Sequence, residues 1–287
     1  MDIFLIIFMI LGFGSVIGGF VLEGGHLIGL LSPTALLIIL GGTIGATAVS
    51  FPRDELRQIP KMLKIIFRDQ KYDYRVLMER MKAMCIQVRQ SGLLSLESQI
   101  DSEPDSLMRK GMRLIVDGTS PAYTREALEL TLQVIEDRHK SRSKIFEAAG
   151  GYSPTMGIIG TVLGLVHVLG NLDDTDTLGP KIAMAFIATL YGIGLANLLW
   201  LPLANKLKEK NRMEILYKSM IIEGLLLIQE GVNTNYMEEK LSSFLSEAQL
   251  YYKGPISGGY SAQADSAAGR SGMSGGINIG KRSRKAS

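Results

Sequence analysis

Four long stretches without a charged residue constrain the fold of this chain more than any other feature. They occupy residues 3–22, 34–51, 150–170 and 182–203. A helix needs about 20 residues to cross the ~30 Å hydrocarbon core of a bilayer, and each stretch has a suitable length. The sequence therefore predicts an all-α integral membrane protein with four transmembrane helices.

The first stretch has one competing interpretation, a secretory signal peptide. Such a peptide has a basic n-region and a small-residue cleavage site. The chain starts with Met1 and Asp2, has no Lys or Arg before the apolar run, and continues that run beyond the usual length. We therefore expect the first stretch to be a transmembrane helix.

The basic residues predict the orientation. Of the 31 Lys and Arg residues, 18 lie in 53–144 and 12 lie after residue 205. The short segments 23–33 and 171–181 carry acidic residues, and Lys181 is their only basic residue. Because basic residues are enriched in cytoplasmic loops, both termini and the segment 53–144 are expected in the cytoplasm.

Helical patterns continue outside the spans. Apolar residues recur at helical spacing in 72–90, and a helix starting after Ser120 and Pro121 is expected to run into the third span. Further helices are expected over 204–231 and 235–250. The predicted divisions are a first hairpin (1–52), a cytoplasmic helical domain (53–144), a second hairpin (145–203), C-terminal cytoplasmic helices (204–253) and a flexible Gly/Ser-rich tail (254–287).

The sequence shows no catalytic pattern. Its three histidines are well separated and lack metal-ligand spacing. The glycines of 12–19 have the wrong spacing for a dinucleotide loop. A single cysteine, Cys85, excludes a disulfide framework and is expected to be a small core residue. We expect a non-enzymatic protein without a cofactor, and topology explains the basic excess without nucleic-acid binding.

Small residues recur one turn apart within the predicted spans. Close approach of transmembrane helices depends on such residues, because lipid supplies no hydrophobic drive for helix association. Ordinary packing is the first interpretation of this pattern. The expected packing residues are Gly41 and Gly45 in the second span, Gly160 and Gly164 in the third, and Gly192 in the fourth.

Three hydroxyl residues lie in the last two spans: Thr155, Thr161 and Thr189. Each one alone is explained by a bond to the carbonyl four residues earlier in its own helix. Three together, on helices with faces of small residues, indicate a polar path or a helix interface.

Two prolines lie near the ends of these same spans. Pro154 is expected to kink the third helix where it enters the bilayer, and Pro202 to close the fourth where it leaves. A simple kink is one interpretation. The other is a hinge that couples events in the membrane to the cytoplasmic helices.

The four stretches hold no Asp, Glu, Lys or Arg, and His167 is their one ionisable candidate. Proton and cation paths through membranes normally need an ionisable side chain at depth. If this protein conducts an ion, the titratable group must come from another chain. The missing acid therefore predicts a membrane partner.

Three segments resemble the MotA/PomA family of flagellar motor stator proteins. They are 152-YSPTMGIIGTVLGLVHVLGNLDD-174, 183-AMAFIATLYGIGLANLLWLPLANKLK-208 and 88-VRQSGLLSLE-97. The resemblance covers roughly residues 1–250. It implies a pentamer in the bacterial inner membrane, arranged around two single-span MotB-type chains whose aspartate carries the ion. An ion-driven rotary motor is the implied activity.

The resemblance also implies roles for individual residues. Thr155 and Thr189 would line the ion path near the partner's aspartate, and Pro154 and Pro202 would couple conformational changes. A charged pair on the cytoplasmic motif, Arg89 and Glu97, would meet charged residues of the rotor protein FliG. From the residues alone, a solvated charge pair on the surface is the favoured explanation.

The resemblance favours protons over sodium as the transported ion. Sodium prefers several oxygen ligands, and Thr161 adds one where some proton-type relatives have alanine. However, Ala188 precedes Thr189 where sodium-type relatives resemble TTLYG. We therefore expect H+, with Na+ as the alternative.

Three other functions are open to such a sequence. The related ExbB/TolQ class energises outer-membrane processes, but it resembles three spans rather than four and lacks the Arg89/Glu97 motif. A membrane scaffold or regulator without ion flux would use the glycines for packing and the threonines for bonds within their own helices. An intramembrane enzyme ranks last, because no nucleophile is paired with a base.

Overall fold

A computed structural model of the chain describes residues 2–68, 72–170 and 175–245. The predicted tail 254–287 and the end of the helix expected over 235–250 lie outside the described residues. In chain order the helices are α1 (Ile3–Leu22), α2 (Leu27–Leu30), α3 (Pro33–Leu36), a π turn (Leu37–Gly41), α4 (Gly42–Ser50), α5 (Arg53–Leu56), α6 (Ile59–Phe67), α7 (Tyr74–Ser91), a 3-10 turn (Leu93–Leu96), α8 (Glu97–Ile100), α9 (Ser106–Val116), α10 (Pro121–Leu169), α11 (Thr175–Leu195), a second π turn (Ala196–Trp200), α12 (Leu201–Gln229) and α13 (Thr234–Ser242).

The structure confirms the all-α fold with four helical spans. Four helical segments are long and apolar enough to cross a membrane: Ile3–Leu22, Leu27–Ser50, Pro121–Leu169 and Leu178–Gln229. The last two extend far beyond a bilayer, because α10 alone has 49 residues and thus a length of about 70 Å. Two long helices therefore connect the membrane spans to the helices outside them.

The start of α10 follows from its sequence. The hydroxyl of Ser120 accepts a hydrogen bond from the backbone N–H of Tyr123 at 3.3 Å, and Pro121 occupies the first turn. Serine at the N-cap and proline at the first helical position are the residues preferred there. The predicted start is confirmed, and the helix continues through Pro154 to Leu169.

The helices outside the membrane spans share one hydrophobic core, which we call the head. It consists of α7–α9, the first part of α10, the last part of α12, and α13. Its fully buried side chains include Met81, Leu96, Met112, Ile115, Leu128, Leu225, Ile228 and Leu241. The predicted divisions 53–144 and 204–253 therefore contribute to a single core, because α12 returns alongside α7, α9 and α10.

Cys85 lies in this core with 1% of its surface exposed. Burial raises the pKa of its thiol, although the nearby Arg89 opposes that change. Its Sγ lies 3.3 Å from the carbonyl oxygen of Val232. The prediction of a small core cysteine is confirmed.

The helix of the fourth span continues beyond Pro202, and the expectation that this proline closes the helix is wrong. The helix continues to Gln229, with Pro202 in the first turn of α12 and the π turn Ala196–Trp200 directly before it. A proline ring inside an α-helix meets the carbonyl four residues earlier, here that of Leu198. A widened π turn gives this carbonyl room, so the chain passes the proline without ending the helix.

Candidate functional site

Helices α10 and α11 approach each other closely along a line of small residues. A Cβ atom added to Gly160 would lie 2.8 Å from the Cβ of Ala188, and one added to Gly164 would lie 2.7 Å from the Cβ of Ala185. At Gly192 an added Cβ would lie 2.7 Å from the carbonyl oxygen of Ser153. The carbonyl oxygen of Ser153 is a backbone atom and cannot rotate away as a side chain can. No residue larger than glycine therefore fits at position 192.

The second span meets the third through a different glycine from those expected. Added Cβ atoms at Gly41 and Gly45 would meet no described atom within 4 Å, so neither packs closely within the chain. An added Cβ at Gly42 would lie 2.5 Å from Sδ of Met156. The π turn Leu37–Gly41 ends directly before Gly42 and adds a residue to the turn, which rotates the following residues by about 100°.

Thr161 and Thr189 form a polar pair inside this interface. Their hydroxyl oxygens are hydrogen-bonded to each other across α10 and α11. The Oγ1 atom of Thr161 also lies 2.9 Å from the carbonyl oxygen of Ala185 and 3.1 Å from that of Gly157. Two hydroxyls and two carbonyls therefore gather at one point between apolar helices.

Thr155 is not part of this pair. It lies on the exposed side of α10, where its hydroxyl donates to the carbonyl of Tyr152 in the same helix at 2.7 Å. Within the chain, its hydrogen bond is thus the simple intrahelical one. The structure joins two of the three predicted threonines and leaves the third facing outward.

Pro154 directly follows two residues, Tyr152 and Ser153, whose side chains form hydrogen bonds to other spans. Ser153, fully buried, donates to the carbonyl of Gly192 in α11 at 2.9 Å. Tyr152 shares a 3.0 Å hydrogen bond with Ser50 at the end of the second span. Since proline lacks an N–H, the carbonyl of Gly150 has no intrahelical donor at this turn. The weakened turn is therefore held by bonds to two neighbouring spans.

Sequence reasoning missed two of these polar contacts. Ser153 was overlooked beside the more conspicuous Pro154, although a serine in an uncharged span is itself a sign of a bond between helices. Tyr191, in the fourth span, donates its hydroxyl hydrogen to the carbonyl of Leu30 at the end of α2. Both contacts join residues far apart in the chain, so spacing alone gives no sign of the partner.

Arg89 and Glu97 lie on the surface of the head, and both are exposed. Arg89 is in the last turn of α7 and Glu97 is the first residue of α8, with Gly92 at φ +79° turning the chain between them. Gln87 fixes this corner by donating to the carbonyl of Ser95 at 2.7 Å. The two charges are therefore presented from one ordered corner of the head.

The membrane segments that the structure describes lack a carboxylate at depth. Residues 3–22, 34–51 and 182–203 contain no Asp or Glu, and neither does 150–170. Over the described part of the chain, no group of three His, Cys, Asp or Glu side chains is placed to hold a metal ion. The Thr161–Thr189 pair can line a polar path, but it cannot itself carry a proton as an acid does.

Comparison with known proteins identifies the family. Residues 6–92 match the model of the motility protein A N-terminal region, and residues 99–220 match that of the MotA/TolQ/ExbB proton channel family. Motility protein A of Bacillus subtilis (strain 168) is 37% identical over 249 residues, which is 85% of this chain and 91% of that protein. The chain belongs to the MotA family. Because the first match includes the first hairpin, the MotA branch is favoured over ExbB and TolQ.

Two solved stator structures share the fold of this MotA-family chain. The C. jejuni MotAB structure matches with a TM-score of 0.82 and 29% identity, covering 86% of this chain and 97% of that one. The flagellar MotAB stator complex from Bacillus subtilis matches with a TM-score of 0.80 and 37% identity, covering 84% and 95%. The resemblance seen in the sequence motifs thus extends over more than four fifths of the chain.

Proposed function

We propose that this chain is the stator subunit of a bacterial flagellar motor and that it conducts ions together with a MotB-type partner. Its MotA family membership and its likeness to MotAB stator complexes support the proposal. The observation that carries it is the Thr161–Thr189 pair, which is polar but lies in membrane segments without a carboxylate. The chain provides the wall of an ion path, and the partner provides the acid.

In this mechanism the partner's aspartate alternates between a charged and a neutral form. Neutralising a carboxylate at membrane depth changes its free energy by several kcal/mol, because the charged form is poorly solvated there. Five copies of this chain around two partner helices would then step from one arrangement to the next. The continuous helices α10 and α12 would transmit each step to the head, in a role that requires no enzymatic chemistry.

The transported ion in this proposal is the proton. The hydroxyl of Thr161 is already within hydrogen-bonding distance of two carbonyls and of Thr189. A sodium ion bound here would have to displace these hydrogen bonds to obtain its oxygen ligands. Protonation of the partner's carboxylate needs no such ligand shell. The hydrogen-bonded hydroxyl pair of Thr161 and Thr189 therefore favours H+ as the transported ion.

The membrane placement follows from the family and the four apolar spans, which make this a multi-pass protein of the bacterial inner membrane. We further propose that both termini and the head are cytoplasmic, because the basic residues lie on that side. In that orientation the exposed Arg89 and Glu97 meet charged residues of the rotor protein FliG.

Reversing the charge of Arg89 is expected to stop torque without preventing assembly. Arg89→Glu changes only an exposed side chain at the end of α7, so the head should fold normally. We expect swimming in soft agar to fall at least tenfold, while the amount of complex purified through the tagged partner stays at the wild-type level.

Arg113→Glu is the matched control, because Arg113 is also exposed on the head and, among the residues that the structure describes, pairs only with the exposed Asp101 at 3.3 Å. This variant should swim normally. Loss of the complex in Arg89→Glu, or equal swimming of the two variants, would contradict a rotor contact at Arg89.

A further inference from the structure

Helix α6 lies beside the ends of the membrane spans. It follows the second span, which ends at Ser50, after the short helix α5. At its other end the carbonyl of Phe67 accepts a hydrogen bond from the backbone N–H of Asp2 at 2.9 Å, directly before α1. Both ends of α6 are thus tied to spans, which places this helix at the membrane boundary.

One face of α6 is fixed against the long helices. Met62 and Ile66 are 1% and 0% exposed. They belong to a core that also contains Ile145 and Phe146 of α10 and Leu203, Ala204 and Leu207 of α12. The ammonium group of Lys210 donates to the carbonyls of Ile65 at 2.7 Å and Ile66 at 2.8 Å, at the end of α6. This helix therefore has a defined rotation about its axis.

The opposite face of α6 is basic. Lys61 and Lys64 are one turn apart, and the C-cap residue Arg68 lies one turn further on. At 100° per residue, the three positions fall within an arc of about 60°. All three side chains are exposed, and none forms an ion pair with any residue that the structure describes. Helix α6 itself contains no acidic residue.

We propose that Lys61, Lys64 and Arg68 form a docking surface for the phosphate headgroups of anionic phospholipids. Clustered basic residues next to a span attract anionic lipid. A helix whose apolar face is packed against other helices holds such basic residues at the level of the lipid headgroups. Of the neighbouring basic residues, Lys206 pairs with Asp2 and Arg57 lies 3.9 Å from Asp54. This proposal goes beyond ion conduction and rests only on the proposed membrane placement.

Trp200 offers a local reporter of the bound lipid. It is the one tryptophan of the 287 residues, and it packs against the same core as Met62 and Ile66. The full-length chain, purified with a partner in which any tryptophan is replaced by phenylalanine, is reconstituted in mixed vesicles. Fluorescence quenching is compared between brominated phosphatidylglycerol and brominated phosphatidylcholine at equal mole fraction.

The wild-type complex should prefer phosphatidylglycerol by at least about tenfold, since each basic residue near an anionic surface contributes about a fivefold gain in binding. The triple variant Lys61→Gln, Lys64→Gln, Arg68→Gln should show no preference, with quenching by phosphatidylcholine unchanged. The control variant Lys110→Gln, Arg113→Gln, Lys240→Gln loses the same charge from exposed positions of the head and should retain the preference.

A preference that persists in the triple variant, or that is lost equally in the control variant, would overturn the proposal. Competition by millimolar inorganic phosphate would contradict it as well, because it would identify a site for free phosphate rather than for lipid. The measurement needs neither ion flow nor a rotor. Failure of the lipid proposal would therefore leave the proposed stator function unaffected. Failure of the stator proposal would likewise leave the lipid site unaffected.

Discussion

Swimming is expected to be abolished by Gly192→Val, because a side chain at this position has no space between α10 and α11. An added Cβ would lie 2.7 Å from the carbonyl oxygen of Ser153 and 2.8 Å from the Cα of Gly157. Both obstacles are backbone atoms, so the two helices would have to separate. Overpacking of this kind costs about 1–3 kcal/mol or more, and separation would also break the Thr161–Thr189 pair.

Gly194→Val serves as the matched control for this variant. Gly194 lies in the same helix, and an added Cβ there meets no described atom within 4 Å. Swimming in soft agar and the yield of the complex with the partner are measured for both variants. Equal swimming of the two would show that the tight α10–α11 contact is not required.

The second large effect is expected at Thr189. Thr189→Val keeps the shape of the side chain but removes the hydroxyl that bonds Thr161. The hydroxyl of Thr161 still has the carbonyls of Gly157 and Ala185 as acceptors, so the fold should survive. If the hydroxyl pair lines the ion path, swimming speed should fall at least tenfold with normal amounts of protein in the membrane.

Thr189→Ser is the informative comparison, because it retains the hydroxyl and loses only a methyl group. This variant should keep a substantial part of the wild-type swimming speed. Normal swimming of Thr189→Val would instead show that the pair is a packing contact between helices, as the scaffold hypothesis requires.

The sequence predicted the spans and the long helices well, because both depend on local properties. An uncharged run of the right length predicts a span wherever it occurs, and Ser120 followed by Pro121 gives the start of α10 from adjacent residues. Predictions about single residues within the spans depended on which side of a helix faces a neighbour. That information is not local.

The glycines illustrate the difference. Gly160, Gly164 and Gly192 lie at the α10–α11 contact, whereas Gly41 and Gly45 with the same small-residue spacing face no described neighbour. The spacing of small residues shows that one side of a helix can approach a neighbour closely. It cannot show where a π turn rotates that side away from the neighbour. Neither the π turn before Gly42 nor the one before Pro202 was predicted from the sequence.

The threonines show a similar limit. Thr155 and Thr161 are both hydroxyl residues of α10, yet only Thr161 faces α11 and meets Thr189. The path residues implied by the family resemblance were Thr155 and Thr189, which the structure of the single chain does not bring together. If Thr155 contributes to the path, it does so on the outward side of α10, where another chain would approach.

Ion flux in vesicles shows whether this chain forms the wall of the ion path while its partner carries the titratable group. Vesicles with a membrane potential are loaded with a pH-sensitive dye and contain the chain alone, the chain with its partner, or the chain with a partner whose membrane aspartate is changed to asparagine. We expect proton flux only with the intact partner, at the same rate in sodium and in potassium medium. Substantial proton flux through this chain alone would contradict it.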